Sequence, residues 1–527
     1  MQQIHTPDWV KDAVFYQIFP DRFAIGGALE NKPANLEPWD APPGTFGFKG
    51  GDLYGIAERL EYLRDLGITA LYLNPIFQSP ANHRYHTQDY YRVDPILGGD
   101  AAFDQLVQRA HALGIRIVLD GVFNHTGRGF YQFQHALENG SASPYVDWFH
   151  FDRTQLGPGR GPYAYPSARR ARLIRRLGSR RALGYDAWWD LPPLPKLNTD
   201  TPAVRRFLLD VARYWIARGA DGWRLDVPGE IDDDAFWRAF RTAVKQTNPE
   251  AYIVGEVWTD AGRWLQGDQF DAVMNYVVTR ACIGFFARES LDGSLAHAVG
   301  HGVQTLNAGQ FADEIDRVMR LYDTEIIQAQ LNLLGSHDTP RFLSLAGGDR
   351  TALLLAYTFI FTIPGAPCVY YGDEVGMTGG ADPHCRRSFP ARRAEWDTGL
   401  QHYLRALAGL RQRAACLRRG TFHRLRADGR SGVYAFARLY REEAAVVVLN
   451  SARRPRTLEL KLSALGSFST LSTELVTPTA GAGGGGNKAG RETAGAAAPQ
   501  AQLHDGRLRV ALIPARSAVI YRFCFTP

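Results

Sequence analysis

Three acidic residues stand at the ends of short apolar segments, where they could carry nucleophilic and acid–base chemistry. Asp226 closes the segment Gly-Trp-Arg-Leu-Asp, Glu256 follows Val-Gly, and Asp338 follows His337. Hydrolysis of a glycosidic bond needs one carboxylate as nucleophile and one carboxyl group kept protonated to donate to the leaving oxygen. The residue types therefore predict a glycosidase-like centre, provided that the fold brings the three segments together.

The neighbours of each carboxylate suggest how the roles divide. Arg224 lies two residues before Asp226, so both side chains share a strand face and the guanidinium is expected to keep Asp226 ionised as the nucleophile. Glu256 lies between an apolar strand and Trp258, a setting that raises a carboxyl pKa and suits an acid/base. Asp338 is left to stabilise charge on the sugar ring and to bind its hydroxyl groups.

Further polar residues accompany these carboxylates. His125 and His337 are uncharged donors suited to sugar hydroxyls, because a metal site would need a third ligand that the sequence does not offer. Asp120 is expected to hold Arg224 in place. Taken alone, Asp226 beside Arg224 would be a structural ion pair as readily as a functional one, and His125 a core histidine. Their joint occurrence at four strand ends favours a functional site.

Eight short runs of apolar and β-branched residues alternate with longer helical patterns along the chain. Strands buried on both faces of a parallel sheet are apolar throughout, and crossover helices join them. Eight such pairs predict a closed (β/α)8 TIM barrel, whose active site lies where the strands end. The predicted strands are Val14–Phe19, Ala70–Leu73, Arg116–Asp120, Gly222–Val227, Tyr252–Val257, Asp271–Tyr276, Gln330–Gly335 and Pro367–Tyr371.

Two stretches break this rhythm and divide the chain into domains. The interval from Asn124 to Asp200 is too long for a usual strand-to-helix connection and predicts a small inserted domain after the third strand. Beyond Ala415, alternating runs predict a C-terminal antiparallel β-sandwich that contains a flexible Gly/Ala-rich loop at Thr479–Gln500. The predicted domains are residues 1–123 and 201–415 for the barrel, 124–200 for the inserted domain and 416–527 for the sandwich.

The composition argues against nucleic-acid and membrane partners. The net charge is +6, but nine arginines fall within the 29 residues from Arg153 to Arg181, so the basicity is local. Five cysteines without C-x-x-C spacing favour reduced thiols in a cytoplasm. The sequence shows no secretion leader, and no uncharged apolar run reaches the roughly 18 residues of a membrane span. A cytoplasmic protein is therefore expected.

The four strand-end segments resemble, in the same order, the four signature regions of the α-amylase clan, glycoside hydrolase family 13. A fifth segment, Leu194-Pro-Lys-Leu-Asn198, is close to the form typical of neopullulanases, cyclomaltodextrinases and maltogenic amylases. The resemblance runs from about Val14 to Asp397 and more loosely through the sandwich. It implies a retaining glycoside hydrolase that cleaves α-1,4-glucosidic bonds in maltooligosaccharides, cyclodextrins, pullulan or starch, with transglycosylation as an accompanying activity.

The resemblance also implies contacts with the α-glucan substrate. Tyr85 in Asn-His-Arg-Tyr-His-Thr should stack on the sugar at the cleavage subsite, and Asp382 and Arg386 should bind the next sugar toward the non-reducing end. The catalytic set is Asp226, Glu256 and Asp338, with Asp120 structural beside it. The implied substrate-binding residues are Tyr85, His125, Arg224, Trp258, His337, Arg341, Asp382 and Arg386.

The sequence departs from its resembling group in three places. The group usually carries an N-terminal starch-binding domain that builds a dimer, whereas here the barrel begins by Val14, so the oligomeric state stays open. The segment after the first strand, Phe23-Ala-Ile-Gly-Gly-Ala, has few oxygen ligands, and no histidine follows Asp226, so no calcium or other cofactor is expected. Arg169–Arg181 looks like an inserted, solvated loop, with an anionic partner as the alternative. The longer stretch Arg153–Arg181 is expected to narrow the cleft, so that short maltooligosaccharides and cyclodextrins are cut faster than starch.

Two other functions compete with this prediction. An α-glucosidase or a glycosyl-transferring isomerase of the same clan would share the barrel, the carboxylates and the intermediate, but the segment Leu194–Asn198 favours the neopullulanase side. A non-catalytic amylase-like binding subunit would lack the carboxylates and carry a membrane helix. Retention of Asp226, Glu256 and Asp338 argues against that second alternative.

Overall fold

The computed structural model describes residues 4–27, 32–157, 161–477 and 499–526. Eight parallel strands form one sheet in the order β6-β5-β4-β3-β2-β1-β8-β7, and a parallel bridge between Met274 and Leu331 closes it into a ring. The predicted TIM barrel is therefore confirmed, with each strand inside or overlapping its predicted run. The strands are β1 Phe15–Ile18, β2 Ala70–Leu73, β3 Arg116–Gly121, β4 Gly222–Leu225, β5 Tyr252–Gly255, β6 Ala272–Val273, β7 Leu331–Leu333 and β8 Ala366–Tyr370.

Helices surround the barrel and pack their apolar faces on its strands. Arg350–Thr362 is almost entirely buried, whereas Pro202–Ala217 buries only one face. The α-helices, numbered α1 to α18, are Asp8–Asp12, Pro20–Phe23, Leu53–Glu58, Leu60–Leu66, Gly99–Ala112, Tyr131–Asn139, Ala168–Leu177, Ser179–Leu183, Pro202–Ala217, Asp234–Thr247, Tyr276–Phe286, Gly293–Ala296, Ala308–Val318, Thr324–Ala329, Phe342–Leu345, Arg350–Thr362, Thr398–Arg413 and Ala415–Arg419.

The interval between β3 and α9 forms a compact unit over the carboxyl ends of the barrel strands. Its small core is aromatic: Phe133 packs against Phe149, Phe151 and Tyr185. Isolated bridges pair residues within the unit: Phe149 with Leu197, and His125 near its start with Lys196 near its end. The inserted domain thus sits at the edge where the carboxylates were predicted to converge.

The Arg-rich segment is helical, so the expectation of a loop at Arg169–Arg181 is wrong, whereas most of the segment is exposed to solvent as expected. Helix α7 begins after Ser167, whose hydroxyl caps the N–H of Arg170, and α8 follows after Gly178. Ile174 supplies the buried side of α7 while most of its arginines stay exposed. Ala171, Ile174 and Leu177 recur at helical spacing, so the sequence did contain a signal for this helix.

The C-terminal region is a β-sandwich of two antiparallel sheets, with strand orders β9-β10-β11-β16-β13 and β12-β15-β14. Helix α18 continues to Arg419, so the first strand begins only at Thr421. The alternating runs Val433–Arg438, Ala444–Asn450, Thr457–Leu462, Arg507–Leu512 and Ala518–Phe523 had predicted five strands. The observed strands are β9 Thr421–Asp428, β10 Val433–Tyr440, β11 Glu443–Asn450, β12 Arg456–Lys461, β13 Ser467–Val476, β14 Ala501–His504, β15 Arg507–Ile513 and β16 Ser517–Thr526.

The three unpredicted strands, β9, β13 and β14, all lie at sheet edges. Edge strands are often polar because only one side is paired, so they lack the alternating pattern that marks β10 or β11. The predicted loop Thr479–Gln500 falls almost wholly outside the described residues. Among the helices that the structure describes, none is long and apolar enough to cross a membrane.

Candidate active site

A cleft of about 580 Å³ opens where the barrel strands end, between the barrel and the inserted domain. Eight of the predicted site residues line it, so strands distant in sequence converge as expected. These residues are Tyr85, Asp226, Glu256, Trp258, His337, Asp338, Asp382 and Arg386.

One guanidinium organises the floor of this cleft. Arg224 is fully buried, and its Nη1 donates to Asp120 Oδ1 at 2.8 Å and to Asp226 Oδ1 at 2.9 Å. Its Nη2 lies 2.9 Å from Glu256 Oε2, an ion pair without hydrogen-bond geometry. The register of β3 against β4 sets Asp120 beside Arg224. A single cation therefore neutralises part of the charge of three carboxylates; we call these four residues the floor.

Burial dominates the ionisation of the two floor carboxylates that face the cleft. It raises the pKa of Asp226 well above the usual aspartate value, although the charge of Arg224 opposes the shift. The expectation that Arg224 alone keeps Asp226 ionised is therefore incomplete, because loss of water favours the neutral acid. Burial likewise raises the pKa of Glu256, with the charge of Asp338 adding to the effect. This second direction matches the one expected for an acid/base.

Tyr85 and His337 form the adjoining side of the cleft. Their rings are stacked with centroids 5.4 Å apart, and the tyrosine hydroxyl lies 2.6 Å from His337 Nε2 and donates to Asp120 Oδ2 at 2.9 Å. Gln17 donates to Nδ1 of His337 at 3.0 Å, which places the ring proton on Nε2, the nitrogen that faces the Tyr85 hydroxyl. Asp338 Oδ2 lies 3.1 Å from the same nitrogen. Burial lowers the pKa of His337 well below its usual value, so the ring is a neutral donor.

Arg386 joins the two acidic residues at the far side of the cleft. Its Nη2 donates to Asp338 Oδ1 at 3.2 Å, and its Nη1 lies 3.0 Å from Asp382 Oδ1. Its Nε donates to the main-chain oxygen of His337 at 2.8 Å. Charged donors and acceptors in this fixed arrangement suit the ring hydroxyls of a sugar.

The profile of the α-amylase catalytic domain matches residues 17–403 of this chain. That span includes the barrel from the second half of β1 onward, the inserted domain and all the cleft residues described above. The chain belongs to the α-amylase family. It is accordingly an α-amylase-family glycoside hydrolase, as the strand-end motifs predicted.

Similar proteins agree with this membership. A cyclomaltodextrinase of Geobacillus thermopakistaniensis (strain MAS1) is 43% identical over 465 residues, which cover 88% of this chain and 73% of that protein. Neopullulanase 2 of Thermoactinomyces vulgaris is 42% identical over 460 residues, which cover 87% of this chain and 72% of that protein. The solved structure of a Nostoc punctiforme debranching enzyme is 41% identical with a TM-score of 0.82, covering 99% of this chain and 100% of that one.

Four predicted residues of this α-amylase-family site lie behind the cleft surface: Asp120, Arg224, His125 and Arg341. Asp120 contacts Arg224 as expected. Arg341 is fully buried; its guanidinium donates to Asp373 Oδ1 and to the main-chain oxygen of Tyr371, each at 2.8 Å. The structure thus gives Arg341 and His125 no surface in the cleft, and direct substrate contact by either stays a prediction without geometric support.

Several cleft residues were missed by sequence reasoning. They come from the inserted domain, from the segment around Tyr85, from the turn after β4 and from the loop after α12: His83, His86, Trp188, Trp189, Leu191, Leu194, Val227, Ala298, Gly300 and His301. The adjacent tryptophans of Asp-Ala-Trp-Trp-Asp were the one available signal, since paired aromatics in a polar loop are unusual. No pattern marked Gly300, where an added Cβ would lie 2.6 Å from the ring of Trp258. The narrowing expected from Arg153–Arg181 is not seen, because none of the described residues of that stretch lines the cleft.

Cations of the protein itself occupy the segment between α2 and α3. Lys32 Nζ donates to the main-chain oxygen of Gly50 at 2.8 Å and to Asp52 Oδ2 at 2.6 Å. The fully buried ammonium of Lys49 donates to two main-chain carbonyl oxygens at 2.7 and 2.8 Å. Within the described ranges, no group of three or more His, Cys, Asp or Glu side chains is placed to hold a metal ion.

Proposed function

We propose that this chain hydrolyses α-1,4-glucosidic bonds of maltooligosaccharides and cyclodextrins with net retention at the anomeric carbon. The observation that carries the proposal is the floor, where Asp226 and Glu256 contact one guanidinium and both face the cleft. Sharing one guanidinium keeps the two carboxyl groups close together, and a short separation between them favours double displacement.

In this mechanism Glu256 protonates the glycosidic oxygen while Asp226 attacks the anomeric carbon, and the bond to the leaving sugar breaks. Glu256, now ionised, then takes a proton from water, whose oxygen attacks the same carbon and releases Asp226. Asp338 binds ring hydroxyls in the distorted sugar, positioned by Arg386 and the neutral ring of His337. The raised pKa of Glu256 keeps its carboxyl group protonated for the first step, and the charge of Arg224 opposes protonation of Asp226.

Stereochemistry tests the proposal directly. Proton NMR of the first turnovers on maltotriose should show the α-anomer before mutarotation produces the β-anomer. Initial release of the β-anomer would exclude double displacement through Asp226. The substrate class rests on the cyclomaltodextrinase and neopullulanase relatives and is tested by comparing rates on β-cyclodextrin, maltotriose and soluble starch.

A second candidate activity is hydrolysis of α-1,6 bonds. Its support is the similarity to the Nostoc punctiforme debranching enzyme over nearly the whole chain. Pullulan separates the two, because it consists of maltotriose units joined by α-1,6 bonds. Cleavage of its α-1,4 bonds gives panose, whereas cleavage of its α-1,6 bonds gives maltotriose.

We also propose that the enzyme needs no metal and works in a reducing, cytoplasmic compartment. The ammonium groups of Lys32 and Lys49 support the first part, because they already bind oxygens of the kind that calcium prefers. Five free cysteines, four of them buried, support the second. One relative, of Bacillus subtilis, is named an intracellular maltogenic amylase. Cell fractionation followed by activity assay tests the location.

A further inference from the structure

A stack of three aromatic rings runs from the barrel rim to the solvent along the inserted-domain side of the cleft. His125 lies at its inner end, with its ring 4.9 Å from Trp188 and tilted by only 7°. Trp188 in turn stacks on Trp189 at 4.7 Å and 15°. His125 is fully buried, whereas Trp189 is 75% exposed. The outer face of the last ring is therefore free.

The backbone holds this outer ring in an unusual conformation. Trp189 and Asp190 have φ values of 52° and 57°, in the left-handed region that bulky residues avoid. Asp190 Oδ1 accepts a hydrogen bond from the main-chain N–H of Ser179 at 2.6 Å. The Ser179 hydroxyl accepts one from the N–H of Ala187 at 3.0 Å. Helix α8, which begins at Ser179, thus pins both ends of the Trp-Trp segment from behind.

We infer that Trp189 is a sugar-stacking platform for the part of an α-glucan that extends beyond the sugars at the cleavage point. A pyranose ring has an apolar face that packs on an indole, and a large exposed aromatic beside a cleft marks a binding surface. Both tryptophans line the same cleft as Asp226 and Glu256. The inference rests on the proposed function and adds a determinant of chain length to it.

The Arg-rich helices α7 and α8 support this platform from behind. They do not line the cleft, but Ser179 of α8 fixes Asp190 and hence the angle of the neighbouring Trp189. Asp190 is therefore a positioning residue. Chain-length preference is set by an aromatic platform whose orientation depends on the insertion behind it.

Substitution of the platform provides the first test. With Trp189→Ala, KM for maltoheptaose should rise about tenfold while kcat changes little, because one stacked sugar contact is lost. The kcat/KM for 4-nitrophenyl α-maltoside, which is too short to reach the platform, should change less than about twofold. Trp189→Phe should retain most of the affinity. Tyr131→Ala, a loss of an aromatic that is 63% exposed in the same domain, is the matched control.

Equal losses on the long and the short substrate would overturn the inference, since they would indicate a structural defect rather than a lost sugar contact. Unchanged kinetics on both substrates would overturn it as well. Asp190→Ala should raise KM for maltoheptaose in the same direction as Trp189→Ala, and Asp190→Asn, which keeps the acceptor oxygen, should restore the wild-type value. Identical behaviour of the two Asp190 variants would remove its positioning role.

A binding measurement separates this inference from the proposed function. Calorimetric titration of maltoheptaose into Glu256→Gln should give an affinity about tenfold tighter than the titration into Glu256→Gln/Trp189→Ala. If the wild-type enzyme cleaves no α-glucan but this difference is found, the proposed function fails and the platform stands. If cleavage is found without the difference, the platform fails alone.

Discussion

The floor of the cleft and the turn after β8 use the same residue types but differ in access to solvent. In the floor, the carboxylates of Asp226 and Glu256 share Arg224 and face the cleft. In the turn after β8, Asp373 accepts hydrogen bonds from Arg341 and from the hydroxyl of Tyr357, each at 2.8 Å, and is closed off by packed side chains. We call this second region the flank.

The flank also contains Glu374, whose Oε1 accepts hydrogen bonds from the hydroxyls of Tyr16 and Tyr62 at 2.7 Å each. Burial raises the pKa of Glu374 to about 7 and raises that of Asp373. The same cause raises the pKa values of Asp226 and Glu256. A displaced pKa therefore does not by itself identify a catalytic carboxylate in this protein; contact with the cleft does.

The largest expected effect comes from the floor. Asp226→Asn should lower kcat on maltotriose by at least about 10³-fold, because an amide forms no stable glycosyl intermediate. The melting temperature should stay within a few degrees of wild type, since Arg224 keeps Asp120 and Glu256 as partners. Activity comparable to wild type would remove Asp226 from its assigned role.

The flank should show the opposite pattern, a change in stability without loss of chemistry. The ordinary glutamate pKa of 4.5 rises to about 7 in the fold, so Glu374 binds a proton more tightly when folded. Stability from this group is full below about pH 4.5 and is lost as pH rises through about 7, a change of about 3 kcal/mol. Glu374→Gln should remove that loss. Its melting temperature relative to wild type should be higher at pH 8 than at pH 5.

The informative quantity for Glu374→Gln is the difference in melting temperature between variant and wild type, measured at both pH values. A gap in melting temperature that is equal at both pH values would show that Glu374 does not titrate as inferred. Because the flank lies outside the cleft, kcat of the variant on maltotriose should stay within about twofold of wild type.

The pH–rate profile extends the comparison. Activity should fall on the acid side as Asp226 becomes protonated and on the basic side as Glu256 loses its proton. The charge of Asp338 raises both pKa values, so Asp338→Asn should move both limbs of the profile of kcat/KM toward lower pH despite low activity. Glu374→Gln is the control, and its limbs should not move. Limbs of Asp338→Asn at wild-type positions would contradict this electrostatic account.

The barrel and the rim position of three carboxylates were predictable because their signals are local. Each strand buried on both faces produces an apolar run. Asp226 and Glu256 directly follow such strands, and Asp338 comes five residues after β7. The sequence pattern therefore placed Asp226, Glu256 and Asp338 on one rim, where the structure has them. Family resemblance then added Tyr85, Asp382 and Arg386, whose positions no periodicity marks.

The rest depends on contacts between distant segments. Burial of the Asp226 carboxylate follows from closure of the whole site, so a single neighbouring arginine was a poor guide to its pKa. The role inferred for Trp189 depends on its stack on Trp188 and on its place in the cleft, neither of which the sequence shows. Arg341 belongs to a signature segment, yet its side chain points into the flank, which the motif could not show.

The smallest expected effect is the change in melting temperature on metal removal. In the floor, the side chain of Arg224 supplies the cation that the carboxylates share, and the experiment tests whether lysine side chains do the same between α2 and α3. Lys32 already neutralises Asp52 and binds the carbonyl of Gly50, so EDTA should shift the wild-type melting temperature by less than about one degree. Lys32→Met leaves those oxygens without a cation, so its melting temperature should be lower than that of wild type. Added calcium should raise the melting temperature of the variant only. A drop of several degrees in wild type with EDTA, reversed by calcium, would mean that an ion adds to what the lysines supply.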